Sequence, residues 1–391
     1  MVLQFFMSGG YALSFPYLAI YLRKERHIPF WIVGIFLTAS LFLAAAGRLL
    51  GGSFSDKFGR RPLLSWGIVT RTLCVFSIGL AIAFKAAFPI IVSIDFIGAL
   101  AAGSFNSTLL AWVSDHFEEH LRVKAYSAMR TTANLGWAVG PAIAGLAVGK
   151  GYALLFLGTA AVYFLCALGV LFFLRESHPL ILKGEKVHHK VFASTLSILR
   201  HEKFYYFFLG TFLIGAVMGH IVVPLSLYAS ETLGISPKGI GLLFSLNGGM
   251  VVIFQVWLIH ALRCYRLPRI LGWGALVYAA GYASLAWAFG FKSLEIAVAI
   301  ITLGEMAIAP SLSALASNLS SPQERGRALG AMGFFHQVGY ALSPLIGGLG
   351  LQFFSTWHPC PYWFFVGGLA VLAAWAFFKI KESETTAPFH S

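Results

Sequence analysis

The sequence predicts an all-α polytopic membrane protein, with twelve transmembrane helices in two pseudo-symmetric six-helix bundles. Three observations carry that expectation. Of 391 residues, 58% are hydrophobic and only 11% charged, and the mean hydropathy is +0.78, a composition no soluble fold needs. Apolar stretches of roughly 20 residues, enough to cross a hydrocarbon core about 30 Å thick, recur along the whole chain. The chain also repeats itself at an offset of 203 residues, where RVKAYSAMRTTANLGWAVGPAIAG (122–145) meets RGRALGAMGFFHQVGYALSPLIGG (325–348). In that alignment Arg122, Ala125, Met129, Gly136, Pro141 and Gly145 face Arg325, Ala328, Met332, Gly339, Pro344 and Gly348.

In chain order, the first six spans are expected at residues 2–22, 30–52, 62–84, 88–112, 125–147 and 152–174. The first 22 residues carry no charge and so lack the basic n-region of a cleavable signal peptide, which makes that segment the first span. Six more are expected at 204–228, 239–260, 269–290, 294–317, 327–354 and 361–379. The long polar connection between the two sets divides the chain into a first bundle (1–174), a linker (175–203) and a second bundle (204–391).

Charge fixes the orientation. Alternate connections, taken with the C-terminal tail, hold eighteen Lys and Arg, among them Lys57, Arg60, Arg61, Arg175, Lys183, Arg263 and Arg325, against seven on the other side. The richer side is cytoplasmic by the positive-inside rule, which puts both termini there, in a bacterial inner (cell) membrane. The net charge of +13 is thus a topology signal, and nucleic acid is not an expected partner. Cys74, Cys166, Cys264 and Cys360 stand far apart, without the spacing of a disulfide framework or a metal site. Neither a nucleophile elbow nor an H-E-x-x-H motif occurs, so the expectation is a monomeric non-enzyme without metal or cofactor.

Duplicated six-helix halves are the build of carriers that rock two bundles about a site near the bilayer midplane. One stretch points to a family. GGSFSDKFGRRP, residues 51–62, lies between spans 2 and 3. Through Gly52, Asp56, Lys57, Gly59, Arg60 and Arg61 it resembles the signature loop of the major facilitator superfamily, G-x-x-x-D-R/K-x-G-R-R/K. The resemblance implies a latch between the bundles on the cytoplasmic side. Physical chemistry agrees: Gly59 permits a tight turn, a carboxylate can sit against helix-end amides, and Arg60 and Arg61 can reach acids such as Asp115 at the end of span 4. The alternative is a topogenic basic loop whose charges are merely solvated. The equivalent connection in the second half, HALRCYRLPR (260–269), keeps the bases and lacks the acid.

GWAVGPAIAG in span 5 resembles the G-x-x-x-G-P-x-x-G-G element of proton-coupled exporters, through Gly136, Gly140, Pro141 and Gly145. Ala144 replaces a glycine of that element, and Ser127 stands where an earlier one is usual. Small residues at this spacing make a flat helix face, and proline bends the helix. The resemblance implies close packing that seals the periplasmic side, with ordinary helix packing as the alternative. The copy in span 11, GYALSPLIGG, differs by Ser343.

The family pattern fails at span 4, where SIDFIGALAAG places Asp95 near an expected arginine and Ala99 near an expected glycine. An unpaired charge at mid-bilayer costs about 2.5–3.5 kcal/mol on insertion scales, so each buried ionisable group needs a partner or a wet cavity. Glu305, halfway down span 10, is a carboxyl placed to gain and lose a proton, or else one locked in a fixed hydrogen bond. Asp95 lies nearer a membrane surface and reads either as a second such group or as a gate-closing acid. Arg130 in span 5 suits an acidic substrate or a structural pair, Arg71 in span 3 reads as structural, and Arg48 is near enough to the loop to snorkel. Asn134, His220, Asn247, Gln255, His336 and Gln337 are weaker candidates, beside Gln4 and Asn106. The two histidines titrate near physiological pH when solvated, but a lone helix histidine is more often an interhelical hydrogen-bonder. The expected function is proton-driven export of small amphipathic or drug-like molecules by alternating access, with small-molecule substrate, protons and the lipid bilayer as partners. The alternative is uptake or exchange of a small organic, anionic solute.

Overall fold

The structure, a computed structural model, describes residues 1–174, 176, 202–320, 325–354 and 360–380. Among them every regular element is a helix. The first six long helices are α1 (Val2–Lys24), α2 (Phe30–Phe58), α3 (Arg60–Ala83), α4 (Phe88–His116), α5 (Glu119–Ala147) and α6 (Tyr152–Phe173). The next is the span α7 (Phe204–Thr232). It is followed by α8 (Pro237–Leu262), α9 (Leu267–Ser284), α10 (Phe291–Leu319), α11 (Arg325–Phe354) and α12 (Cys360–Phe378). Ten of the twelve are long and apolar enough to cross a membrane. The other two, α5 and α11, carry the repeated glycines, prolines and polar residues. Such a helix is suited to protein neighbours more than to lipid.

Two details depart from the expected spans. Residues 51–58 are not a loop: α2 stays helical through Phe58, and one residue separates it from α3. That residue is Gly59, at φ 95° and ψ 156°, a conformation L side chains rarely adopt. The span α7 is broken in the middle, running as α-helix to Met218, as a 3₁₀ turn over Gly219–Ile221, as α-helix over Val223–Leu227 and as a π turn over Tyr228–Thr232.

The chain forms two compact units, Met1–Lys183 with Gly234–Val252, and Gly184–Leu233 with Ile253–Ser391. The expected second bundle, 204–391, therefore differs by the start of α8. Of the expected linker, 175–203, all but Glu176, Glu202 and Lys203 lies outside the described residues, as do Arg175 and Lys183. In the first unit α1 packs on α5 and α6, and α3 packs on α4 and α6. In the second, α7 packs on α11 and α12, and α9 packs on α10 and α12. Each partner lies six helices on from its counterpart, so the repeat in the sequence is also a repeat in packing. The first unit's core joins Leu64, Ile68, Phe105, Met129, Cys166 and Val170.

Candidate functional site

The charged connection at Gly59 is a network. Arg60 is 8% exposed. Its Nη1 reaches both Ser55 Oγ and the Asp56 carboxylate, and its Nε donates to Asp115 Oδ2 at 3.0 Å. The carboxylate at the helix-end amides is neither of these acids. The backbone N–H groups of Arg60 and Arg61 donate to Glu176 Oε1 and Oε2 at 2.9 and 3.1 Å. An anion here meets the positive end of the α3 dipole and satisfies two amides that have no partner within the helix. Gly59 makes room for it, because a Cβ at that position would stand 2.8 Å from Glu176 Oε2. Arg61 Nη2 donates back to the Leu171 carbonyl at 2.9 Å. Lys57 is exposed with its Nζ 5.1 Å from the Phe58 ring, and no heavy atom lies within 4 Å of where a Gly52 Cβ would be.

Deeper in the first unit, Asp95 on α4 is 1% exposed and accepts a 2.6 Å hydrogen bond from Ser40 Oγ on α2. Arg71 on α3, 4% exposed, acts on it electrostatically, with its guanidinium 4.3 Å above the Phe15 ring. A Cβ at Gly98 would come within 2.8 Å of Arg71 Nη1, so glycine on α4 lets the arginine in. Arg71 thus shares a buried site with Asp95. The other two intramembrane arginines are exposed, Arg48 on α2 and Arg130 on α5.

The repeated small residues have a steric role. A Cβ at Gly136 would stand 2.7 Å from both Phe5 O and Gly9 N of α1, and one at Gly140 would stand 2.4 Å from Gly9 O. Gly145 faces the Lys238 backbone at 3.0 Å. Pro141 is buried, and its carbonyl lies 3.3 Å from Tyr17 Oη. In the second unit Gly339 of α11 abuts the Phe212 carbonyl, and Gly347 abuts Pro224, both on α7. The two copies therefore clamp α5 to α1 and α11 to α7 by backbone contact.

The remaining candidates are dispersed. Glu305 on α10 is half-buried and acts electrostatically on Tyr282 of α9. Gln255 donates to the Met306 carbonyl at 2.8 Å. His336 Nε2 lies 3.3 Å from Met218 Sδ. His220 is fully buried, with Nδ1 2.6 Å from the Ala216 carbonyl. Asn134, Asn247 and Gln337 are half-buried. Glu176 escaped the sequence reading. Its signal was an acid in RES, directly after an apolar span whose end must lie near the start of another.

The family model described as Major Facilitator Superfamily matches residues 1–259 and again 207–390. The quinolone resistance protein NorA of Staphylococcus aureus is 23% identical over 349 residues, covering 88% of this chain and 87% of its own. A Na(+), Li(+), K(+)/H(+) antiporter of Planococcus maritimus is 21% identical over 417 residues, covering 98% and 96%. Among solved structures, a POT family transporter in complex with 5-aminolevulinic acid superposes with a TM-score of 0.80 at 15% identity, covering 95% and 93%.

Proposed function

The chain belongs to the Major Facilitator Superfamily, and from that premise we propose that it exports small amphipathic or drug-like compounds in exchange for protons, by alternating access. It is a multi-pass membrane transporter; the direction of transport, the coupling ion and the substrate class are the proposal. The observation that carries it is Asp95. A carboxyl 1% exposed on a membrane-spanning helix, held by Ser40 and within electrostatic reach of Arg71, is costly wherever it stands and is suited to a coupling role. Protonating Asp95 removes the negative charge that acts on Arg71, and losing the proton restores it. That gives two electrostatic states for helices α2, α3 and α4. Glu305 is a carboxyl on α10, the second unit's counterpart of α4. The names of two relatives, a quinolone resistance protein and a cation/proton antiporter, support the same reading.

The energetics are sufficient. Each proton entering down 100 mV supplies about 2.3 kcal/mol, and a tenfold gradient costs about 1.4, so one proton sustains roughly a 50-fold gradient of a neutral solute. In this reading the Arg60 network faces the cytoplasm, where the excess of Lys and Arg places it, and latches one state of the cycle. The membrane is the bacterial inner membrane.

Purified protein in liposomes containing a pH-sensitive dye tests the proposal under an imposed pH gradient, with amphipathic dyes and small organic acids as trial solutes. Proton flux opposite to solute flux and dependent on it is expected. Solute movement without proton flux overturns antiport and leaves a uniporter or exchanger.

A further inference from the structure

Two connections of the first unit meet at the end of α2 away from the Arg60 network. They are residues 25–29, between α1 and α2, and residues 84–87, between α3 and α4. Arg26 Nη1 donates to the Ala86 carbonyl at 2.8 Å and so ties one connection to the other. Lys85 is the residue before Ala86, and Lys24 lies two before Arg26, so three cations gather around one hydrogen bond. Arg23 is adjacent, its guanidinium 4.4 Å above the Phe30 ring. Glu25 is the single acid of this group. Neither it nor Lys24 nor Lys85 makes a side-chain hydrogen bond or ion pair among the described residues. The start of α10, on the same side by alternation of the spans, is different: there Lys292 pairs with Glu295 at 2.8 Å.

The fold uses Arg26 to join the two connections, but it does not ask for Lys24 or Lys85. This is the side on which the positive-inside rule depletes Lys and Arg, so topology does not ask for them either. α3 closes in a Schellman turn, with the Ala86 N–H donating to the Ala81 carbonyl at 2.8 Å and the Lys85 N–H to the Ile82 carbonyl at 3.1 Å. Lys85 stands there at φ 51°, the left-handed conformation for which glycine is the usual choice, and His27 repeats it at φ 53°. A lysine in a glycine position is explained by its charge and not by its backbone. The helix dipole favours a cation at the end of α1, yet Arg23, Lys24 and Arg26 all stand within four residues there. Apolar surface is exposed beside these charges, since Phe84 is 80% exposed and Trp31 42%. Unpaired cations next to exposed aromatic rings at the end of membrane spans fit a headgroup that carries acyl chains, whereas a soluble anion makes no use of Phe84.

We propose that Lys24, Arg26 and Lys85 form a binding site for the phosphate of an anionic phospholipid, in the leaflet opposite the Arg60 network. The phosphodiester accepts from the two ammonium groups and from Arg26 Nε and Nη2, because Ala86 and Tyr21 both take Nη1. The acyl chains cover Phe84. A bound headgroup thus reinforces the single hydrogen bond that ties the α1–α2 connection to the α3–α4 connection. The site is independent of the solute carried, the coupling ion and the direction of transport.

Lysine footprinting of the full chain in lipid nanodiscs tests the site, with discs of phosphatidylcholine alone or with phosphatidylglycerol added. A water-soluble acylating reagent labels exposed amines, and mass spectrometry of the peptides gives the rate at each lysine. Phosphatidylglycerol is expected to slow Lys24 and Lys85 about fivefold more than Lys292, the equivalent of about 1 kcal/mol for a cation at an anionic surface. Lys85→Gln and Lys85→Gly each remove one of the three cations and should return Lys24 toward its rate in phosphatidylcholine. Glycine suits φ 51°, so that variant folds even if the glutamine variant does not. Equal slowing of Lys24, Lys85 and Lys292 is general screening and overturns the site, as does protection of Lys24 that survives Lys85→Gly. Protection produced in phosphatidylcholine discs by inorganic phosphate or glycerol phosphate alone identifies a soluble anion and overturns the lipid.

Discussion

The backbone N–H of Arg60 donates to Glu176 Oε1 at 2.9 Å, so the chain beyond α6 caps the start of α3. This contact joins residues 116 positions apart and fixes where the sixth helix delivers the chain. Glu176 is exposed, so the cap is worth about 1 kcal/mol, the usual scale for capping and helix-end charge. Glu176→Ala is expected to lower the melting temperature in detergent by a few degrees, with Glu176→Gln losing less because it still accepts. Equal melting of all three proteins would remove the cap from the account.

Asp56 makes a different kind of bond. Its side chain is 55% exposed where it meets Arg60, and pairs this exposed contribute about 0–1 kcal/mol. Asp56→Asn should therefore melt almost as the wild type does, while transport slows and solute binding, followed by tryptophan fluorescence, is retained. Unchanged transport in that variant would reduce the network to a topological signal.

Ser40 and Asp95 form the buried counterpart. Asp95→Asn keeps the shape and removes the titratable charge, so pH-driven accumulation in liposomes should disappear while downhill solute exchange continues. Glu305→Gln should act in the same direction. Ser40→Ala removes a hydrogen bond to a carboxylate, worth about 1.5–3 kcal/mol, and should shift the pH dependence of transport without abolishing it. Full pH-driven accumulation in Asp95→Asn would take the coupling role from that residue.

The glycines of the repeat give a steric prediction. At Gly140 even a methyl group meets the Gly9 carbonyl, which is backbone and cannot swing aside, whereas nothing lies within 4 Å of a Cβ at Gly368. Gly140→Ala should cost about 1–3 kcal/mol, as overpacking does. Gly368→Ala should be neutral or slightly stabilising, since it sits in α12 and alanine is the better helix former. Detergent melting curves of the two variants make the comparison, and matched curves would contradict the clamp.

The fold was legible because the bilayer imposes it: span lengths, basic connections and the repeat from Gly136 and Gly339 each carry a direct physical cause. The charged stretch from Gly52 to Arg61 was legible as a feature, but not as helix through Phe58, because its glycines and charges imitate a loop. Arg71 read as structural from its place on the third helix. Its burial beside Asp95 depends on Gly98 leaving space on a neighbouring helix, which no single segment reveals. Glu176 was invisible for the same reason, since its contact is assembled by residues that meet only after packing.

The irregular span α7 has a consequence for insertions and deletions. A 3₁₀ turn overwinds a helix and a π turn underwinds it, and α7 places one of each on either side of Val223–Leu227. The two twists oppose each other, and the π turn closes α7 at Thr232, so no later face of this helix depends on its register. Removing one residue within Tyr228–Thr232 would let the π turn relax to α-helix, leaving the faces before it in phase. The same deletion in the middle of the uninterrupted α12 would rotate every later side chain by about 100°, turning buried faces toward lipid.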